Sequence, residues 1–136
     1  MNIREILENA KKIAVVGCST NPTKDAHNVP AFLQKMGYTI IPVNPNCDRV
    51  LGQTCYADLK GIPEDMNIDI IDIFRRPKDT EKVVDDAIDR FGKSKHKPVI
   101  WTQFGVSSDL AKRQAEEAGF EYVENRCLKV EYQKNF

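Results

Sequence analysis

The sequence predicts a Rossmann-like α/β fold: three layers, α/β/α, around a five-stranded, mainly parallel sheet in the order 3-2-1-4-5. Short apolar runs alternate along the chain with segments of helical period, and glycine closes three of those helical segments. The apolar runs carry little polar alternation, as in strands covered on both faces. Such alternation implies right-handed β-α-β crossovers, which place helices on both sides of a parallel sheet. A chain of 136 residues suits one domain spanning 1–136.

The elements follow in order. A leading helix carries Ile3, Ile6, Leu7 and Ala10 on one face behind the cap Asn2. Residues 13–17 form the first strand, and a helix beginning near His27 or Asn28 presents Val29, Phe32, Leu33 and Met36 before Gly37. The second strand is 38–43; after it comes mostly loop, with one helical turn at 57–60. The third strand, 68–74, leads to a helix bearing Val83, Val84, Ala87, Ile88 and Phe91, closed by Gly92. The fourth strand, 98–101, precedes a helix capped by Ser107 or Ser108, with Asp109 in its first turn and Gly119 at its end. Each closing glycine is expected in the left-handed conformation that ends a helix. Residues 120–123 make the fifth strand.

Lys plus Arg and Asp plus Glu both number 20, so no overall field draws the protein to nucleic acid or membrane, and neither is an expected partner. No apolar run approaches 18 residues and the N-terminus lacks a signal-peptide pattern, which predicts a cytoplasmic protein. Cys18, Cys47, Cys55 and Cys127 form no C-x-x-C pair, and only His27 and His96 could join them as ligands. Free thiols and no metal are expected.

In sheets of this kind a ligand lies beyond the carboxyl ends of the strands. After the first strand stand Gly17, Cys18, Ser19, Thr20, Asn21 and Lys24, small and polar residues leading into a helix N-terminus, which suits phosphate. The spacing is not G-x-G-x-x-G, since Ser19 and Pro22 occupy the glycine positions, so an ordinary strand-to-helix turn is the competing reading. After the second strand come Asn44 and Pro45, with Arg49 near; the missing acid there counts against NAD. Phe74, Arg75 and Arg76 follow the third strand as part of the densest cationic cluster in the chain. Guanidinium forks fit phosphate oxygens and Phe74 offers a wall for a base, although a solvated turn has the same composition. Thr102 and Gln103 follow the fourth strand, whose Trp101 reads as core; Arg126, Cys127 and Lys129 form a second polar wall after the fifth.

Catalytic candidates are few. Neither G-x-S-x-G nor H-E-x-x-H occurs, and acids such as Asp85, Asp86 and Asp89 fall on an exposed helix face. Cys18 stands where a helix N-terminus would lower a thiol pKa, with His27 as a base but no third orienting group. No catalytic residue is assigned.

Together, residues 13–19, the Ile-Pro-Val-Asn-Pro core within 38–46, Leu51-Gly52 with Tyr56, 69–76 ending in Phe-Arg-Arg-Pro, and 125–129 resemble the small single-domain CoA-binding proteins of bacteria and archaea. That family is similar in fold to the CoA-binding domain of the succinyl-CoA synthetase α subunit. The resemblance implies coenzyme A, free or acylated, lying across the carboxyl edge, with its phosphates near Gly17, Ser19, Thr20 and Asn21. Asn44, Pro45, Phe74, Arg75, Arg76, Thr102 and Gln103 would also face it. The ligase's phosphohistidine segment has no counterpart, so the expectation is a carrier or regulatory module. The alternatives are an acyl-CoA thioester-processing enzyme using Cys18 or Cys127, and an NAD(P)-linked oxidoreductase in which Arg75 and Arg76 receive the 2′-phosphate. A homodimer is expected from the general frequency of two-fold assemblies.

Overall fold

A computed structural model describes residues 2–136. In chain order it comprises α1 (Ile3–Asn9), β1 (Lys12–Val16), α2 (Asp25–Lys35), β2 (Thr39–Val43), β3 (Arg49–Val50), β4 (Gln53–Thr54) and a 3₁₀ turn (Leu59–Gly61). There follow β5 (Ile70–Ile73), α3 (Pro77–Phe91), β6 (Val99–Thr102), α4 (Asp109–Glu117), β7 (Tyr122–Val123) and α5 (Leu128–Asn135). Five strands form a parallel sheet in the order β2-β1-β5-β6-β7, and β3 with β4 makes a separate small hairpin. The result is a Rossmann-like three-layer α/β/α fold.

The predicted strand order needs correction. Counted within the main sheet it is 2-1-3-4-5, so the third of these strands, β5, pairs with β1 and not with β2. One feature of the chain favours this. In β2, the Pro42 carbonyl turns away from β1 and accepts from the Tyr56 N–H at 3.0 Å. Because a residue's N–H and C=O lie on one side of a strand, the N–H that proline lacks would also have pointed outward, so Pro42 belongs on an edge.

Alternate residues of each strand feed two cores. Ile13, Val15, Ile40, Ile70 and Trp101 pack with Leu7, Leu33 and Leu128 of α1, α2 and α5. Ala14, Val16, Ile41, Ile71, Ile73 and Ile100 pack beneath α3, α4 and the 3₁₀ turn. Asn2 caps α1 by accepting from the Glu5 N–H at 2.9 Å, and Ser108 caps α4 by accepting from Ala111 at 3.0 Å. Gly37 and Gly119 take the expected left-handed conformation, with φ of 106° and 89°. Gly92 departs from expectation: its φ of −60° continues the right-handed helix. Asp86 also differs, being buried and held by Lys82 at 2.8 Å.

Helix α5 is the element the sequence pattern hides, since it buries Glu131 and leaves Val130 exposed. Its anchor is aromatic: Tyr132 meets Phe32 edge-on at 5.7 Å between centroids and Tyr38 at 6.0 Å.

Candidate functional site

A cleft of about 1030 Å³ opens at the carboxyl edge of the sheet. Four pieces of chain line it: the start of α2 at Asp25, Asn28 and Val29; the turn from Phe74 to Pro77 with Asp79 of α3; Gln103 to Val106 after β6; and Cys127 with Lys129, Val130 and Gln133 of α5. A smaller cavity of about 170 Å³ lies beside it, lined by Val16, Val43, Pro45 and Leu59 among others. Arg75 lines both. It therefore stands between a large cleft and a narrow annex.

The β1 loop reaches this edge through tight backbone packing. Gly17 has a φ of 87°, and any Cβ there would collide with the carbonyl oxygen of Phe74. The loop's polar side chains largely shape the loop itself: Ser19 Oγ accepts from the Asn21 N–H, and Asn21 Oδ1 accepts from both the N–H and the hydroxyl of Thr23. Asn44 Nδ2 donates to the Cys18 carbonyl at 2.9 Å, tying the ends of β1 and β2 together. Thr20 and Lys24 are exposed, and Lys24 precedes α2 without a capping side-chain bond.

The cationic cluster divides by environment. Arg76 is exposed and its Nε donates to Asp79 Oδ2 at 2.9 Å, which holds that carboxyl below its usual range. Arg75 is half-buried and makes no hydrogen bond or ion pair with the other described residues. Arg49 lies in the β3–β4 hairpin, away from the main cleft, and donates to the Gly52 carbonyl at 2.8 Å. Lys129 Nζ sits 5.2 Å from the centre of the Phe32 ring.

Two residues expected at a ligand, Thr102 and Cys18, are buried and do not line the cleft. Thr102 is buried, its hydroxyl donating to the Val123 carbonyl at 3.1 Å. Cys18 is fully buried in the core beside α2; burial, with lesser effects from Cys55, Cys47 and Asp72, pushes its thiol up to about 12. That is the reverse of an activated nucleophile. His27 Nδ1 lies 2.7 Å from the Ser19 carbonyl, and His96 Nε2 lies 2.8 Å from Asp69 at the opposite edge of the sheet.

Beneath the cleft lies a buried polar pair. Gln103 Nε2 donates to Asp72 Oδ1 at 2.7 Å, while Asp72 Oδ2 has no partner among the described residues. Burial pushes the Asp72 carboxyl up to about 7 against the opposing pull of that N–H.

Of the residues marked in the sequence, the cleft brings together Phe74, Arg75, Arg76 and Gln103 with Cys127 and Lys129; Pro45 belongs to the annex. Sequence reasoning missed Phe104, 69% exposed, with Val130 and Gln133. An aromatic residue followed directly by Gly105, just past a strand end, was the available signal for Phe104. Among the described residues no group of three or more His, Cys, Asp and Glu could hold a metal ion, and no helix is long and apolar enough to cross a membrane.

Residues 11–133 match the model of a family described as "CoA binding domain". An uncharacterized protein of Bacillus subtilis (strain 168), YneT, is 38% identical over 128 residues, covering 94% of this chain and 90% of that protein. The solved structure of a hypothetical protein from Pyrococcus horikoshii OT3 superposes with a TM-score of 0.89 at 39% identity, over 97% of this chain and 88% of that one. An ADP-forming acetate–CoA ligase of Archaeoglobus fulgidus is 29% identical over 122 residues, 88% of this chain but 16% of the enzyme.

Proposed function

We propose that this chain, which belongs to the CoA binding domain family, binds coenzyme A or an acyl-CoA across the carboxyl edge of its sheet, as a carrier or regulatory module. The observation that carries the reading is Arg75, a half-buried guanidinium that makes no hydrogen bond or close ion pair with the other described residues and feels the field of Asp79, set between a large cleft and its annex. A partly desolvated guanidinium with no close partner favours an anion, and coenzyme A brings a pyrophosphate and a 3′-phosphate. The cleft's other wall is apolar, with Phe104, Val106 and Val130, which suits the pantetheine arm or an acyl chain. In the loop from Gly17 to Lys24 the exposed Thr20 can add its N–H and hydroxyl at the α2 end, while the N–H groups of Gly17, Ser19, Asn21, Thr23 and Lys24 are engaged within the protein.

Support for chemistry at a thiol is weaker. Cys18 is buried, and although Cys127 lines the cleft, neither histidine stands among the lining residues as a base. Binding without turnover is therefore the favoured reading.

Thermal unfolding with a panel of ligands tests it. Coenzyme A should stabilise the protein by about 2.7 kcal/mol at a hundredfold excess over its dissociation constant, and NAD or NADP by much less. An equal response to NAD would overturn the assignment.

A further inference from the structure

The Asp72–Gln103 pair is unusually placed. Asp72 projects from β5, an interior strand, into the otherwise apolar core that contains Val15, Trp101 and Cys18. It is fully buried, and Gln103 is 6% exposed. Replacing such a pair by apolar residues of similar shape is often neutral or stabilising, so stability alone does not account for it. One consequence of the pair is geometric. With Nε2 drawn down to Asp72 at 2.7 Å, the amide of Gln103 cannot rotate freely, and its oxygen is the end left to the cleft that Gln103 lines.

We infer that Asp72 is a positioning residue that locks Gln103 with its amide oxygen toward the ligand, so that the cleft floor selects a group that donates a hydrogen bond. This rests on the coenzyme A reading and deepens it. The phosphates offer acceptors only; the adenine amine and ribose hydroxyl can donate, but the pantetheine arm carries two secondary amide N–H groups and suits the apolar wall of Phe104, Val106 and Val130 that adjoins Gln103. The polar and titratable groups facing Asp72 from neighbouring elements are few: the neutral Gln103 amide bonds it from the end of β6 and the Cys18 thiol approaches from the β1 end. The empty Oδ2 lets a proton reside on that oxygen while Oδ1 still accepts from Gln103, so the orientation survives in either protonation state.

The test compares coenzyme A with adenosine 3′,5′-bisphosphate, which lacks the pantetheine arm, by calorimetry on the full chain. Gln103→Met and Asp72→Leu should each weaken coenzyme A by about two- to tenfold, the range for one neutral hydrogen bond, and leave the bisphosphate unchanged. Asp72→Asn keeps an oxygen for Nε2 and should bind coenzyme A at least as tightly as the wild type. Should Asp72→Leu fail to fold, Gln103→Met and Asp72→Asn still decide. Equal losses for both ligands, no loss with Gln103→Met, or a loss with Asp72→Asn as large as with Gln103→Met would overturn the inference while leaving the coenzyme A reading intact. A wild-type protein that ignores coenzyme A would instead remove that reading and this inference with it.

Discussion

The carbonyl oxygen of Phe74 occupies the space in which the first side-chain carbon of any residue replacing Gly17 would have to stand. The two residues end neighbouring strands, β1 and β5, and the Phe74 N–H in turn donates to the Val16 carbonyl at 2.9 Å. The arginine turn and the candidate phosphate loop are thus joined backbone to backbone, and one cannot shift without the other.

Gly17→Ala should therefore cost about 2 to 4 kcal/mol, combining a positive φ of 87° with a backbone collision that no rotamer relieves. Urea unfolding measures it. An unchanged midpoint would mean that the two strand ends separate easily.

Arg75 and Arg76 should behave differently. Arg75→Ala is expected to weaken coenzyme A by about 1.5 to 3 kcal/mol, as for a hydrogen bond to a charged group, with the ligand-free stability within about 0.5 kcal/mol. Arg76 is already engaged by Asp79, so Arg76→Ala should have the smaller effect on binding. Calorimetry with coenzyme A and dephospho-CoA would also reveal which phosphate Arg75 serves; equal effects of the two substitutions would contradict the division of roles.

Asp72 should leave a signature in the pH dependence of stability. Its folded pKa, about 7, lies above the ordinary 3.8, so the folded protein holds a proton that the unfolded chain gives up. The associated stability is complete below about pH 3.8 and is lost as pH rises through about 7. Asp72→Asn removes that loss, so the variant should gain on the wild type as pH rises from 3.8 to about 7, by on the order of a few kcal/mol, and hold a level advantage above it. Taking the difference cancels Asp79 and Glu124, whose lowered pKa values act in the opposite sense at acid pH. A flat difference would place Asp72 in contact with water.

Thiol labelling separates the four cysteines. Cys18 should resist a mild alkylating agent until the protein unfolds, because it is buried and its thiol is pushed up to about 12. Cys127 should be slowed by coenzyme A, since it lines the cleft, while the partly exposed Cys47 should not. Peptide mapping by mass spectrometry reads each site.

Much of this was legible in the chain, and the misses have physical causes. Strand ends were readable because β1 is an apolar run from Ile13 closed by Gly17, and β5, apolar but for Asp72, gives way to Arg75 just past its end. The strand order was misjudged because it turns on one backbone group, the N–H that Pro42 lacks, which an apolar pattern does not register. Asp72 and Gln103 illustrate the other limit: hydropathy marks each as polar, but only the register that sets Asp72 beside Trp101 brings their side chains together. Helix α5 stayed hidden because its packing is aromatic, through Tyr132, and not a periodic apolar stripe.

The pairing of Tyr56 with β2 bears on how the molecule behaves when crowded with its own copies. An open sheet edge is a template on which another chain can add a strand and begin to aggregate. Here the Tyr56 N–H takes the Pro42 carbonyl, its own carbonyl accepts from the Asn44 N–H at 2.8 Å, and Pro42 has no N–H to offer. At the far side β7 is two residues long, too short to hold a second chain in register. Neither margin of the sheet offers an extended run of free backbone, so strand exchange between molecules is disfavoured and concentrated solutions should be slow to form fibrils.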